Sequence, residues 1–193
     1  MASIKRETLL TLEAYSRERN AFRAKVMEHK RFRKVEIGPS VMLHFEDELT
    51  VRYQIQEMLR AERVFEESGI QEELDAYSPL VPDGRNFKAT MMIEYPDADE
   101  RKAWLEKLIG IEDRTWVQVE GHDRVWAIAD EDLDRETAEK TSSVHFLRFE
   151  LSESMAGALK AGASLGMGID HPNYQHEDRL DADRRRALVQ DLA

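Results

Sequence analysis

Three histidines and two glutamates supply the donor atoms from which a metal centre or a proton-transfer site could be assembled: His145, His171, His176, Glu57 and Glu62. Imidazole nitrogen combined with carboxylate oxygen suits zinc, iron or manganese. His171 and His176 belong to the densest run of donors, Asp170-His171-Pro172-Asn173-Tyr174-Gln175-His176-Glu177-Asp178. Their separation through a proline-containing turn is no established chelating spacing, so a surface turn with a hydrogen-bonded histidine competes with a ligand pair. His145 falls on the apolar face of a strand pattern, where a hydrogen-bonded core histidine is commoner than a ligand. Two sharper patterns fail. A ferritin-type di-iron centre needs Glu-x-x-His on two helices, and no histidine here has a glutamate three positions before it. Asp130-Glu131-Asp132-Leu133-Asp134 spaces carboxylates as a calcium loop would, but Arg135 replaces the glycine and Thr141 the closing glutamate.

Glu62 has a second reading. It interrupts the apolar stripe Val51, Ile55, Met58 and Phe65, just as Arg19 interrupts Leu12, Tyr15, Phe22, Val26 and His29. An isolated charge on a buried stripe is costly, so each needs a partner. If the two helices form an antiparallel hairpin with Arg33 and Glu46 flanking the connection, Arg19 and Glu62 lie within about 3 Å of the same height. A structural pair between Arg19 and Glu62 is therefore expected. A polar row, Tyr53, Glu57 and Arg60, occupies another face of the second helix.

The elements that position these residues follow from periodicity. A first helix spans about Arg6 to Arg33, Val35 to Ser40 is a turn around Gly38-Pro39, and a second helix spans about Glu46 to Glu67. A short helical piece, Gln71 to Tyr77, precedes a Pro/Gly-rich stretch ending at Asn86. From Phe87 the period changes to two, and the order strand, helix, strand, strand, strand, helix, strand runs to Ile169. Asp97 and Glu100 have the spacing of a capping box at the start of the first of these helices, although aspartate matches the Ser/Thr pattern only in part, and Ser152 or Glu153 opens the second. The fold class expected is α+β: an N-terminal antiparallel helical hairpin packed on a mainly antiparallel sheet with helices on one face. The divisions expected are a helical module over 1–77, a linker over 78–86, a sheet module over 87–176 and a C-terminal helical tail over 177–193.

Composition limits the function. The 193 residues carry a formal net charge of -11, which disfavours nucleic acid or an anionic bilayer as the main partner. The N-terminal residues lack a signal-peptide pattern and no long apolar run is present, so a cytoplasmic protein without a membrane span is expected. The chain has no cysteine, which rules out a Cys-ligated iron–sulfur cluster or a thiolate zinc site on it. Any other cofactor is left open, as is a homo-oligomer.

Four strings carry a resemblance: Leu49 to Arg63 (LTVRYQIQEMLRAER), Ala127 to Asp132 (AIADED), Lys140 to Phe149 (KTSSVHFLRF) and Asp170 to Tyr174 (DHPNY). On these, the chain resembles the bacterial domain of unknown function 3501 family over essentially its whole length. The resemblance implies no catalytic residue. It implies a setting, a redox or peroxide-stress system with rubrerythrin-like or iron–sulfur oxidoreductase partners. The expectation is a cytoplasmic accessory or binding protein of that system. The alternative is a metal-dependent or small-ligand enzyme built on the His/carboxylate residues above.

Overall fold

A computed structural model describes residues 4–132, 135 and 137–193. A 3-10 turn over Arg6–Thr8 precedes α1 (Leu12–Lys30), which therefore starts later than expected and is capped by the Thr11 hydroxyl, which accepts from the Ala14 amide. Where a simple turn is expected, two strands form a hairpin, β1 (Lys34–Ile37) and β2 (Val41–Phe45), with Ile37 opposite Val41. Val35, Ile37, Val41, Leu43 and Phe45 alternate and are buried, a period of two confined to pieces of four and five residues. Gly38 turns the hairpin at φ +70°, and a side chain there would strike His176 and Tyr174.

The second helix, α2 (Glu48–Glu62), starts with a capping box between Asp47 and Thr50. It stops earlier than the stripe suggests, because Arg63 adopts a left-handed conformation. Phe65, counted as core, is therefore 63% exposed. α3 (Glu67–Tyr77) folds back so that Ile70 and Leu74 join Val51, Ile55 and Leu59 in a small core of their own.

The remaining elements are β3 (Asn86–Ile93), α4 (Ala98–Lys107), β4 (Thr115–Val119), β5 (Arg124–Trp126), β6 (Ile128–Ala129), β7 (Val144–Glu150), α5 (Glu153–Lys160), β8 (Leu165–His171), β9 (Tyr174–Arg179) and α6 (Ala182–Val189). Asp97 caps α4, and of the two residues that could open α5 it is Ser152 that caps it. The strands form two antiparallel sheets, ordered β1-β2-β3-β7-β6 and β5-β4-β8-β9. The fold class is α+β. Both sheets face one main core, where Leu43, Met91, Leu147 and Phe149 of the first meet Val117, Leu165 and Met167 of the second. Between β5 and β6 the chain breaks at Ala127 and passes from the second sheet to the first, a corner by which a strand exchanges sheets. At the opposite edge the Tyr174 hydroxyl, on β9, donates to the Ile37 carbonyl at 2.6 Å and joins the sheets again.

The expected partition at 78–86 needs correction. β1 and β2 precede that loop yet pair, through β2, with β3 beyond it, so the helical module contributes two strands to the sheet. The tail is likewise integrated: residues 174–179 form a strand, and Leu188 and Leu192 are buried in the main core.

Arg33, 2% exposed, ties this end to the first quarter of the chain. It donates to the carbonyls of Phe45, Glu46 and Ala187 and to the Asp191 carboxylate. Burial pushes the Asp191 carboxyl up to about 6, although Arg33 beside it pulls the other way. Because the folded value lies above the unfolded one, near 3.9, Asp191 contributes stability that is complete below about pH 4 and lost as pH rises through about 6. The loss is on the order of 2–3 kcal/mol. Asp191→Asn should flatten the stability curve in this window, as measured by urea unfolding at several pH values. An unchanged difference between wild type and variant from pH 4 to 7 would contradict it.

Candidate functional site

Strand β7 places its side chains alternately on two faces. His145, Leu147 and Phe149 point into the core between the sheets, while Phe146 and Arg148 point toward the helical layer. Each face leads to one constellation.

On the outer face, α2, α3 and the loop after α3 stand over β3 and β7. Between them lies a cleft of about 770 Å³. Met58, Leu80 and Phe146 supply apolar wall, and Lys88, Arg135 and Arg148 line it together with Glu62, Glu73, Asp75, Glu131 and Asp132. The cations are already engaged. Arg148 grips Glu131 through two 2.8 Å bonds and reaches Glu150 at 2.7 Å, holding the Glu131 carboxyl below its usual range. Arg135 binds Asp132 and Asp130 and stacks its guanidinium 4.5 Å from the Phe146 ring centroid. The Lys88 ammonium meets the Pro79 carbonyl, and burial lowers its pKa. Glu73 is different. Its Oε2 is buried without a hydrogen-bond partner, and burial first, then the neighbouring Glu62 and Glu72, raise its pKa. Among the described residues Glu62 makes no ion pair.

Inside, His145 is fully buried between carboxylates. Its Nδ1 lies 2.6 Å from Asp130 Oδ2, and its Nε2 faces Thr141 Oγ1 at 2.9 Å, the Ser142 carbonyl at 3.1 Å and Glu112 Oε2 at 3.7 Å. Asp130 follows β6 with φ +48°, and its other oxygen accepts from the Phe146 amide at 2.9 Å and from Arg135 at 3.2 Å. Asp130 thus connects the inner cluster to the rim of the cleft.

The five candidate ligands do not converge. Among the described residues, Glu112, Asp130 and His145 form the group with three ligand atoms within 4.8 Å of one another; only His145 was anticipated. His171 uses both ring nitrogens locally: Nε2–H donates to the Ile109 carbonyl and Nδ1 accepts from the Asn173 amide. His176 packs against Tyr174 and over Gly38. Leu133 and Asp134 of the acidic loop lie outside the described residues.

The expected pair of Arg19 with Glu62 is corrected to Arg19 with Glu57. The guanidinium makes two bonds to Glu57, 2.8 and 2.7 Å, which lower the Glu57 pKa, and the Tyr15 hydroxyl donates to the same carboxylate. The helices do run antiparallel, as His29–Asp47 and Phe22–Tyr53 contacts also show. They end at Lys30 and begin at Glu48 rather than at Arg33 and Glu46, because the β1–β2 hairpin separates them. That shift sets Arg19 beside Glu57, about one and a half turns before Glu62. Periodicity could not reveal Glu73, Glu112 or Thr141 as site residues. The one signal was His145 itself, a titratable group on an apolar strand face that had to have partners.

Fold and site together define an α+β protein of two antiparallel sheets, with a mixed apolar and charged cleft under a helical layer. The chain belongs to the family described as "Protein of unknown function (DUF3501)", whose profile matches residues 3–192. It is also similar to a solved structure described as a novel protein of unknown function from Burkholderia pseudomallei K96243. The two are 55% identical with a TM-score of 0.95, covering 99% of this chain and 100% of that one. No curated protein matches.

Proposed function

We propose that this is a cytoplasmic binding protein whose cleft takes a small amine: an ammonium group on an apolar body. The observation that carries the reading is the buried, unpartnered Glu73 Oε2 beside Glu62. A carboxylate oxygen withdrawn from water without a donor is unfavourable, and a bound ammonium satisfies it through a charge-assisted bond. Met58, Leu80 and Phe146 offer the apolar body a surface. Arg135 and Arg148 are neutralised by the chain's own acids, so they favour no anionic ligand. The net charge of -11 also favours cations.

The test is calorimetric titration with hexylamine, hexanol and hexanoate. Saturable binding of the amine alone is expected, weakened about tenfold or more (~1.4 kcal/mol) by Glu73→Gln. Preference for hexanoate, or equal binding of hexanol, overturns the reading. Service to a redox or peroxide-stress system, with rubrerythrin-like or iron–sulfur partners, is part of this proposal on the family resemblance alone. Copurification of such partners at low salt tests it. Among the described residues no helix is long and apolar enough to cross a membrane.

A further inference from the structure

We infer that the Nε2 side of His145 is a binding site for one divalent first-row transition metal ion, with Glu112, Thr141 and the Ser142 carbonyl as its oxygen ligands. The inference concerns the inner face of β7 and is independent of the amine cleft.

The separations around Nε2 come close to those between ligands of one ion. Ligand atoms about 2.1 Å from one ion and 90–120° apart stand about 3.0–3.6 Å from each other. Around His145 Nε2 the separations are 2.9 Å to Thr141 Oγ1, 3.1 Å to Ser142 O and 3.7 Å to Glu112 Oε2, with 3.5 Å between the Thr141 and Glu112 oxygens. Asp130 belongs to the same cluster but contacts Nδ1, at 2.6 Å, and one ion cannot use both nitrogens of one imidazole. Asp130 is therefore a positioning residue. By accepting the Nδ1 proton it leaves the Nε2 lone pair outward, the arrangement by which carboxylates orient metal-bound histidines. Without an ion this lone pair accepts from the Thr141 hydroxyl at 2.9 Å, a bond that coordination would replace. The side chains of His145 and Glu112 are 0% and 7% exposed, so an ion there would be held away from water. One imidazole with oxygens selects zinc, manganese or iron over magnesium, which prefers oxygen alone.

The experiment uses the full chain without an affinity tag, stripped with chelator and titrated with Zn²⁺, Mn²⁺ and Mg²⁺. Because the imidazole is buried, loading is measured on native protein and after refolding with metal, with calorimetry and Mn²⁺ electron paramagnetic resonance as readouts. Expected are one saturable site for Zn²⁺ or Mn²⁺, none for Mg²⁺, and at least tenfold weaker binding in Glu112→Gln. Asp130→Asn should weaken binding 10–100-fold while broadening rather than abolishing the Mn²⁺ spectrum. His176→Ala should bind as wild type. Should His145→Ala fail to fold, the Glu112→Gln and Asp130→Asn titrations still decide. Absence of saturable binding, or binding that survives Glu112→Gln and is lost in His176→Ala, overturns the assignment, whatever the outcome for amines in the cleft.

Discussion

Replacing Arg33 by methionine is expected to destabilise the protein by about 3–5 kcal/mol, the range for removing one partner of a buried ion pair. Methionine fills much of the volume, so the loss falls on the polar groups left behind. The guanidinium satisfies the carbonyls of Phe45, Glu46 and Ala187, lies 2.5 Å from Asp191 and 3.4 Å from Asp47. Those groups belong to β2, the start of α2, and the C-terminal helix and its end. One side chain therefore ties the junction of β2 and α2 to the C-terminal segment. The deficit should grow with pH. Without Arg33 the Asp191 carboxyl titrates still higher, and stability present below the unfolded value is lost as pH rises through the folded one. Urea midpoints for wild type and Arg33→Met at pH 5 and pH 8 check both parts. A variant within about 1 kcal/mol of wild type would mean that the network is dispensable.

Asp130→Ala is expected to cost about 3–4 kcal/mol, while Asp130→Asn should cost roughly half as much. Alanine removes the acceptor for the His145 imidazole, the Phe146 amide and Arg135, and places a Cβ-bearing residue without a polar side chain at φ +48°. Asparagine tolerates the left-handed region and keeps an acceptor oxygen of similar reach. Equal destabilisation by the two variants, measured by chemical denaturation, would place the energy in charge alone and remove backbone conformation from the account.

The long periodic elements were legible. Ala89, Met91 and Ile93 on β3 and His145, Leu147 and Phe149 on β7 face the core as their alternation implies, and Asp97 and Ser152 cap their helices. The β1–β2 hairpin was not legible as strands, because four and five residues around Gly38-Pro39 read equally well as a turn between helices. That omission displaced the helix ends and, with them, the partner of Arg19. The end of α2 was misplaced for a related reason: Arg63 stops the helix in a conformation usually left to glycine, and no composition signal marks it.

The candidate site was less legible than the fold. His145 was recognisable as a buried titratable group, but Glu112 and Thr141 come from separate connections and Asp130 from the end of a strand that changes sheets. Arg33 and Asp191 stand 158 positions apart. By itself the sequence determined what is local: the class of fold, the faces of the long strands, the caps, the negative charge, and the exclusion of thiolate chemistry by the absence of cysteine. Only the tertiary structure decided which charges meet, because hydrophobic periodicity assigns a residue to a face. Its partner depends on strand order and on helix register, which a shift of a few residues in one connection resets.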